Sequence, residues 1–393
     1  MKIRAHDLQY GKQSISQDDI DSVVEVLKSD FLTQGPMVPI FEEVIASYCN
    51  AKGAVAANSA TSALHIACLA LGVKEGDIVW TSANTFVASA NCALYCGAKV
   101  DFVDIDPNTF NISITHLKEK LLIASKNGSL PKVLIPVHLC GNPCDLEEIY
   151  RLSREYGFKI IEDASHAIGA KYKDERIGNC KFSDITVFSF HPVKIITSGE
   201  GGMAVSNDEK LLEKLYAYRS HGITSERKLM LPKPTYEIWN YQQFFLGYNY
   251  RMTDLQAALG VSQSKSLDKF VSERNSQALY YHDLLKNLPL KMQVIDSHSY
   301  SSYHLFVIRF FLEELKLNQK EIYESLKSYK IFANLHYIPV YLQPYYENLG
   351  FSRGHCPEAE KYYCDALSLP LYPGLEPQDQ EYVVQALRNI IGQ

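Results

Sequence analysis

The chain lacks any apolar run of the roughly 20 residues needed to cross a bilayer, so nothing in it reads as a membrane span. Met1 to Asp19 lack the apolar stretch of a secretory signal, and a cytoplasmic address is expected. There is no excess of positive charge: 39 Lys and Arg face 45 Asp and Glu, a net charge of −6. That balance gives no general attraction to nucleic acid or to an anionic membrane. Near the start there is also no glycine-rich strand-to-helix turn, which a nicotinamide-dependent oxidoreductase would need. A disulfide framework is not expected either, because nine cysteines spread over 393 residues do not resemble a small stapled domain. Two cysteine pairs, Cys92/Cys96 and Cys140/Cys144, have the C-x3-C spacing that zinc sites use. The paired knuckles usual for such sites are absent. Cys92 and Cys96 lie in an apolar helical pattern, where cysteine serves as a small hydrophobe. No metal is therefore expected.

What is present is alternation. Ser16 is a good N-cap for a first helix, with Asp18, Asp19 and Asp21 at its positive end. The loop Thr33 to Pro36 separates it from a second amphipathic helix carrying Phe41, Val44, Ile45 and Tyr48 on one face. From residue 53 onward, short apolar strands are expected at Ala54–Ala57, Ile78–Thr81, Lys99–Val103, Val133–Val137, Phe158–Ile161 and Ile185–Phe190. Helices are expected between several of them, at Thr61–Leu71, Val87–Tyr95 and Asp145–Tyr156, and Met203–Val205 is expected to pair near the last strand. This pattern predicts an α/β fold with a mostly parallel sheet covered on both faces. Residues 223–247 show no period, and a loop of that length is functional or poorly ordered; covering the substrate is one such role. A helix follows at Thr253–Val261. After about residue 265 the chain becomes more polar, and the division expected is a large unit over 1–265 and a smaller α/β unit over 266–393.

Three segments carry the candidate chemistry, and each has a plain reading beside the chemical one. In residues 158–170 a strand runs into Glu162–Asp163, and ligands collect at the carboxyl ends of strands in open α/β sheets. Asp163 is either a buried carboxylate that meets a ligand or a cap for the next turn. In residues 183–206 Lys194 stands between Val193 and Ile195. A lysine in apolar surroundings loses its proton more readily, and the neutral amine attacks carbonyls; the plain reading is a surface lysine. In residues 56–71 a strand ends at Asn58–Ser59 and small residues open a helix. Such an N-terminus suits a phosphate, or Ser59 is simply a cap. Taken together, the three supply what pyridoxal phosphate needs: phosphate donors, an acid for the ring nitrogen and a lysine for the carbonyl carbon.

The order and wording of these segments resemble fold-type I pyridoxal-phosphate enzymes of the aspartate aminotransferase kind. More specifically, they resemble the sugar aminotransferases of the DegT/DnrJ/EryC1/StrS family. The resemblance runs through LTQGP, NSATSAL, TFVASANCAL, VHLCGNPCDL, IEDASHAIGA, FSFHPVKIITSGEGG, SHG, GYNYRMTDLQAALG and HYIPVY. It implies that Lys194 forms the Schiff base with pyridoxal 5'-phosphate and that Asp163 meets the pyridine nitrogen. It places His166 near the ring hydroxyl, Phe86 against the ring face, and Ala60, Thr61 and Ser189 on the phosphate. Asn249 matches a phosphate ligand taken from a neighbouring subunit, which implies a homodimer with shared sites. His336, Tyr337 and Tyr341 match positions that face the sugar. Arg219, His221 and Arg251 are either partners for a carboxylate or diphosphate or ordinary surface charges, with a subunit contact as another role for Arg251. Related sugar 3-dehydratases carry His where this chain has Lys194, so the resemblance favours transamination, with L-glutamate as the usual donor. FHPVK with ITSGEGG is most similar to enzymes that aminate C4 of UDP-4-keto-6-deoxy-N-acetyl-hexosamines on the route to pseudaminic acid. Other nucleotide keto-sugars, and a non-catalytic regulator that only binds the cofactor, remain as alternatives.

Overall fold

A computed structural model describes residues 6–232 and 241–392. Three elements precede the main sheet. Strand β1 (Leu8–Gln9) is followed by helix α1 (Gln17–Lys28), which Ser16 opens in a capping box with Asp19. Helix α2 (Met37–Cys49) packs on α8 (Asp254–Ser264), whose N-terminus is capped by Thr253 in a second capping box with Gln256. The two helices lie very close where Gly260 faces Phe41: a Cβ at Gly260 would lie 2.5 Å from the Phe41 ring. The buried Asp254 carboxylate ties α8 to the loop before α2, accepting from the N–H groups of Gly35 and Val38.

The central sheet takes its strands from β2 (Gly53–Ala57), β3 (Ile78–Ser82), β4 (Lys99–Val103), β5 (Val133–Ile135), β6 (Lys159–Asp163), β9 (Ile185–Ser189) and β10 (Gly202–Ser206). The spatial order is β2-β10-β9-β6-β5-β3-β4, with β10 alone antiparallel to its neighbours. Helices α3 (Ala60–Ala70), α4 (Ala88–Tyr95), α5 (Ile114–Asn127) and α6 (Leu146–Tyr156) follow β2, β3, β4 and β5 in turn, and α7 (Glu209–Arg219) follows β10. Burial on both faces explains the near-continuous apolar strands; all five residues of β9 are buried. Full burial of a side chain such as Phe188 contributes about 1.5–3 kcal/mol.

Several features lie outside the expected pattern. Helix α5 covers the β4 edge of the sheet where no helix was expected. A small hairpin, β7 (Lys171–Tyr172) and β8 (Glu175–Arg176), pairs with Ser299–Tyr300. Of the long loop, Ile223–Thr224 pairs antiparallel with Gln242–Gln243, and residues 233–240 lie outside the described segments. Beyond the long helix α9 (Leu267–Leu285), the chain forms an antiparallel sheet from Leu290–Met292, Phe306–Phe310 and Ala366–Leu369. The start of the chain joins this C-terminal part: β1 pairs in parallel with Ile331–Phe332.

Candidate active site

The strand ends converge on a cavity of about 870 Å³, lined by residues from both the central sheet and the C-terminal part. Strand β6 ends at Asp163, β9 at Ser189, and β2 leads through Asn58 into α3. This is the carboxyl edge of the parallel strands, where open α/β sheets take their ligands.

The start of α3 forms one end of the cavity. Ser59 Oγ accepts the Ser62 N–H at 3.1 Å, and Ser62 Oγ donates to Asn58 Oδ1 at 2.7 Å. With the serine cap turned to Ser62, the N–H groups of Ala60 and Thr61 at the first turn are left for an incoming acceptor. Strand β10 reaches this turn only because residue 202 is glycine: a Cβ there would lie 2.4 Å from the Ala60 nitrogen. Ala60, Thr61, Ser62 and Ser189 all line the cavity.

Asp163 holds the floor, buried and fixed by two donors. Oδ1 accepts the Ser165 N–H at 3.0 Å, and Oδ2 accepts from Ser89 Oγ at 2.6 Å. Lys194 opens onto the same cavity. Burial brings its amine down to about 8, and the Asp163 carboxylate opposes that fall. Asp163 does cap the next turn through Ser165 and also lines the cavity, whereas the plain reading of Lys194 as a surface lysine does not describe its position.

Three histidines surround the amine. His166 Nδ1 accepts the Cys140 N–H at 3.3 Å, so the proton of the neutral ring sits on Nε2 and is donated to the Tyr337 hydroxyl at 3.2 Å. Burial, then Lys194, then His336, push His166 well below the usual histidine range. His336 is lowered to about 3 by burial and by Lys194, and its Nδ1 lies 2.8 Å from Ser368 Oγ. His304 packs against His166 with ring centroids 4.4 Å apart. Phe86 is exposed at the mouth, its ring centroid 6.1 Å from that of Tyr337.

The geometry gathers Ala60, Thr61, Phe86, Asp163, His166, Ser189, Lys194, His336 and Tyr337 around one space. It does not bring the other expected residues there. Tyr341 is a correction: it is fully buried, and its hydroxyl donates to Glu360 at 2.6 Å, away from the cavity. After Pro339 the chain turns into a short 3-10 segment (Val340–Leu342) that points Tyr341 into the core. Arg219 is also structural, buried against the Glu42 carboxylate and the Ala56 carbonyl. Asn249 and Arg251 do not line their own chain's cavity. Tyr10, Thr85, Ser165, His304 and Asn334 line it without having been expected, and Ser89 acts from behind Asp163. Phe86 stands just before the N-cap of α4 and Ser89 in the first helical turn, so the local cue to Ser89 is its place within the TFVASANCAL segment. His304 has no such local signal.

The residues fit pyridoxal phosphate. The free N–H groups of α3 suit a phosphate dianion, the amine suits an aldehyde, and Asp163 suits a pyridinium N–H. His304 Nδ1 is buried without a hydrogen-bond partner, as expected where a polar group is added on binding.

Residues 13–388 match the DegT/DnrJ/EryC1/StrS aminotransferase family, and the chain belongs to it. It is 39% identical over 385 residues to the UDP-4-amino-4,6-dideoxy-N-acetyl-beta-L-altrosamine transaminase of Campylobacter jejuni serotype O:2, covering 98% of this chain and 97% of that one. It is 35% identical over 391 residues to the spore coat polysaccharide biosynthesis protein SpsC of Bacillus subtilis, covering 99% and 98%. Among solved structures, Helicobacter pylori PseC, an aminotransferase involved in the biosynthesis of pseudoaminic acid, superposes with a TM-score of 0.88 at 29% identity, covering 98% and 99%. The PLP form of the putative sugar aminotransferase Spr1654 from Streptococcus pneumoniae gives 0.87 at 27% identity, covering 98% and 99%.

Proposed function

We propose that this aminotransferase uses pyridoxal phosphate to move an amino group from L-glutamate to C4 of a UDP-linked 4-keto-6-deoxy-N-acetyl-hexosamine, on the route to pseudaminic acid or a related nonulosonic acid. The observation that carries the chemistry is the facing of Lys194 and Asp163 across one cavity that also receives the free N–H groups of α3. The sugar is supported by the names of the Campylobacter and Helicobacter relatives. The cytoplasm is the address that goes with a nucleotide-sugar substrate.

Bound there, pyridoxal phosphate supplies an electron sink for a carbanion next to nitrogen. The chain's own residues do the rest. The Lys194 amine, lowered toward neutral pH by its burial, is suited to take a proton from a donor carbon and return it to the acceptor carbon. Asp163 holds the ring nitrogen, with Ser89 and Ser165 fixing the carboxylate. His166 remains neutral and presents its Nε2–H through Tyr337. His336 and Tyr337 approach from the C-terminal part and exclude water from the reacting carbon.

The reading extends to a homodimer with shared sites. Asn249 is exposed and does not line its own cavity, which leaves it available to a second copy. Mixing inactive Lys194→Ala with inactive Asn249→Ala chains is then expected to restore part of the activity in mixed dimers. The decisive test of the reaction is the visible spectrum of the purified protein with glutamate, followed by a panel of UDP- and dTDP-keto-sugars. Glutamate is expected to bleach the loaded cofactor, and a UDP-4-keto-sugar is expected to restore it with release of a 4-amino sugar. Recovery with dTDP-sugars alone would overturn the substrate assignment. Normal turnover by Lys194→Ala would overturn the chemistry.

A further inference from the structure

The turn after β3, residues 83–86, faces two ways. Toward the cavity floor, Thr85 Oγ1 lies 2.8 Å from Ser89 Oγ, and Ser89 donates to Asp163. Toward the C-terminal part, the same turn accepts two backbone donors. The Ala83 carbonyl takes the Val340 N–H at 3.1 Å, and Asn84 Oδ1 takes the Tyr337 N–H at 2.8 Å. Asn84 is buried and does not itself line the cavity. Its Nδ2 is buried with no hydrogen bond of normal geometry, so Oδ1 is the end of the side chain that makes the link.

His336 and Tyr337 are fastened from opposite sides. His336 is held by the C-terminal part: its carbonyl accepts from the Tyr362 hydroxyl at 2.8 Å, and its Nδ1 lies 2.8 Å from Ser368 Oγ. Tyr337 is held by the large unit. Its N–H goes to Asn84, its hydroxyl to His166 at 3.2 Å, and its ring stands 6.1 Å from that of Phe86, centroid to centroid. The bond to Asn84 is the one that fixes the Tyr337 backbone. Without it the ring and hydroxyl contacts are reached from a peptide that is free to shift, and an amide N–H is left without its acceptor.

We infer that Asn84 is a positioning residue for the sugar half of the reaction: by accepting the Tyr337 N–H it seats the wall against which the keto-sugar ring lies. The chemistry of that wall favours the sugar over the amino donor. Lys194 is the only lysine or arginine among the described residues that line the cavity, so the wall brings no fixed positive charge to a dicarboxylate. His336 stays neutral, held to about 3 by burial and by Lys194, and the Tyr10 ring packs on it at 4.9 Å between centroids. Uncharged aromatic faces with polar edges suit the C–H face and the hydroxyls of a pyranose. Loss of Asn84 therefore loosens the fit of the sugar. It leaves the glutamate step, which depends on Lys194 and Asp163, close to its parent rate. That selectivity rests on the proposed reaction, whereas the seating of Tyr337 by Asn84 does not.

Hydrogen exchange of the holoenzyme tests the seating. In Asn84→Ala the Tyr337 amide is expected to exchange about tenfold faster, with peptides around Asp163 and Lys194 unchanged. Unchanged protection at Tyr337 would overturn the inference. Stopped-flow spectra of the two half-reactions test the consequence. Asn84→Ala is expected to raise the keto-sugar concentration for half-maximal return of the visible band about tenfold, while bleaching by glutamate stays within about twofold of the parent. Asn84→Asp keeps Oδ1 as an acceptor and is expected to recover both the protection and the sugar response. Equal losses in the two halves, or an Asp variant as weak for the sugar as the Ala variant, would also overturn it. Asn84→Ser, whose hydroxyl is too short to reach the Tyr337 N–H, gives the same comparison if Asn84→Ala does not fold. The parent enzyme keeps the two readings apart. Its failure with a UDP-4-keto-sugar counts against the proposed substrate, and the comparison is then made with whichever keto-sugar of the panel it accepts. Where it accepts none, exchange at Tyr337 alone decides.

Discussion

Ser89 Oγ lies 2.6 Å from Asp163 Oδ2, with both side chains buried. A carboxylate only accepts, so Ser89 is the donor. Thr85, whose Oγ1 is 2.8 Å from the same hydroxyl, then donates to Ser89. The chain from Thr85 to Ser89 to Asp163 fixes the acid that faces the ring nitrogen. Ser89→Ala removes one of the two donors that hold that carboxylate, and a hydrogen bond to a charged group is worth about 1.5–3 kcal/mol. Only part of that is felt on binding, so the expected effect is roughly tenfold weaker pyridoxal phosphate binding, about 1.4 kcal/mol. Fluorescence titration of the apoprotein measures it. Ser89→Thr keeps the hydroxyl and is expected to restore both affinity and the pH response of the visible band. A failure of Thr to rescue would point to packing instead.

The lowered Lys194 amine makes a signed prediction about pH. Its value in the fold is about 8, and the neutral amine is the reactive form. Capture of pyridoxal phosphate by the apoprotein is therefore expected to quicken as pH rises through about 8 and to level off above it. The same shift acts on stability in the opposite sense to an ion pair. Between about 8 and the unfolded lysine value near ~10.4, the unfolded chain binds more protons than the folded one, so apoprotein stability is expected to rise with pH across that window. Because His336 and His166 are held below the usual histidine range, no inflection from either is expected near ~6.5. Stopped-flow capture rates between roughly pH 6 and 10 check the first and third statements, and urea midpoints of the apoprotein over the same range check the second; a capture rate independent of pH would contradict the placement of the amine.

Gly202 sets the depth of the phosphate end. With a Cβ 2.4 Å from the Ala60 nitrogen and 2.4 Å from the Ser59 carbonyl carbon, Gly202→Ala must displace backbone rather than a flexible side chain. The contact disturbed is the first turn of α3, whose N–H groups the phosphate needs. The expected outcome is a folded protein that loses cofactor on dialysis, read by the ratio of visible to ultraviolet absorbance. Retention equal to the parent would show that the turn can move without loss of its function.

How much of this was legible beforehand differs between the sheet and the site. Strand positions were readable because burial on both faces leaves unbroken apolar runs, and Lys99–Val103 was placed at its observed bounds. Boundaries moved where polar residues pair at a strand end: Glu162 and Asp163 belong to β6 because they bond along Val137 and β9. The pairing of Leu8–Gln9 with Ile331–Phe332 carries no local signal, since it joins segments far apart in the chain. The same holds for His304, which reaches the cavity by tertiary packing, with Arg274 holding its carbonyl at 3.1 Å. Tyr341 went the other way. It shares a short motif with His336 and Tyr337, yet the turn after Pro339 sends it into the core. Arg219 is similar: a charge free to meet substrate in the sequence is committed to Glu42 in the fold.

That commitment yields a stability prediction. The Arg219 guanidinium is buried, with Nη1 bonded to Glu42 Oε1 and, at 2.9 Å, to the Ala56 carbonyl. Glu42 Oε1 also accepts the Ala56 N–H at 2.8 Å, so one carboxylate ties α2, the end of α7 and β2 together. Its removal strands a buried positive charge and an amide N–H. Breaking a buried pair from one side costs about 3–5 kcal/mol, and the partial exposure of Glu42 puts the expected loss for Glu42→Ala near the lower figure. The measurement is the urea midpoint of the apoprotein for Glu42→Ala, Glu42→Gln and Arg219→Met. Glu42→Gln keeps an acceptor for both donors and is expected to lose less than Glu42→Ala. Arg219→Met removes the charge that needs a partner, and combined with Glu42→Ala it is expected to cost less than the sum of the two single changes. Strict additivity would mean that Glu42 and Arg219 stabilise the fold independently.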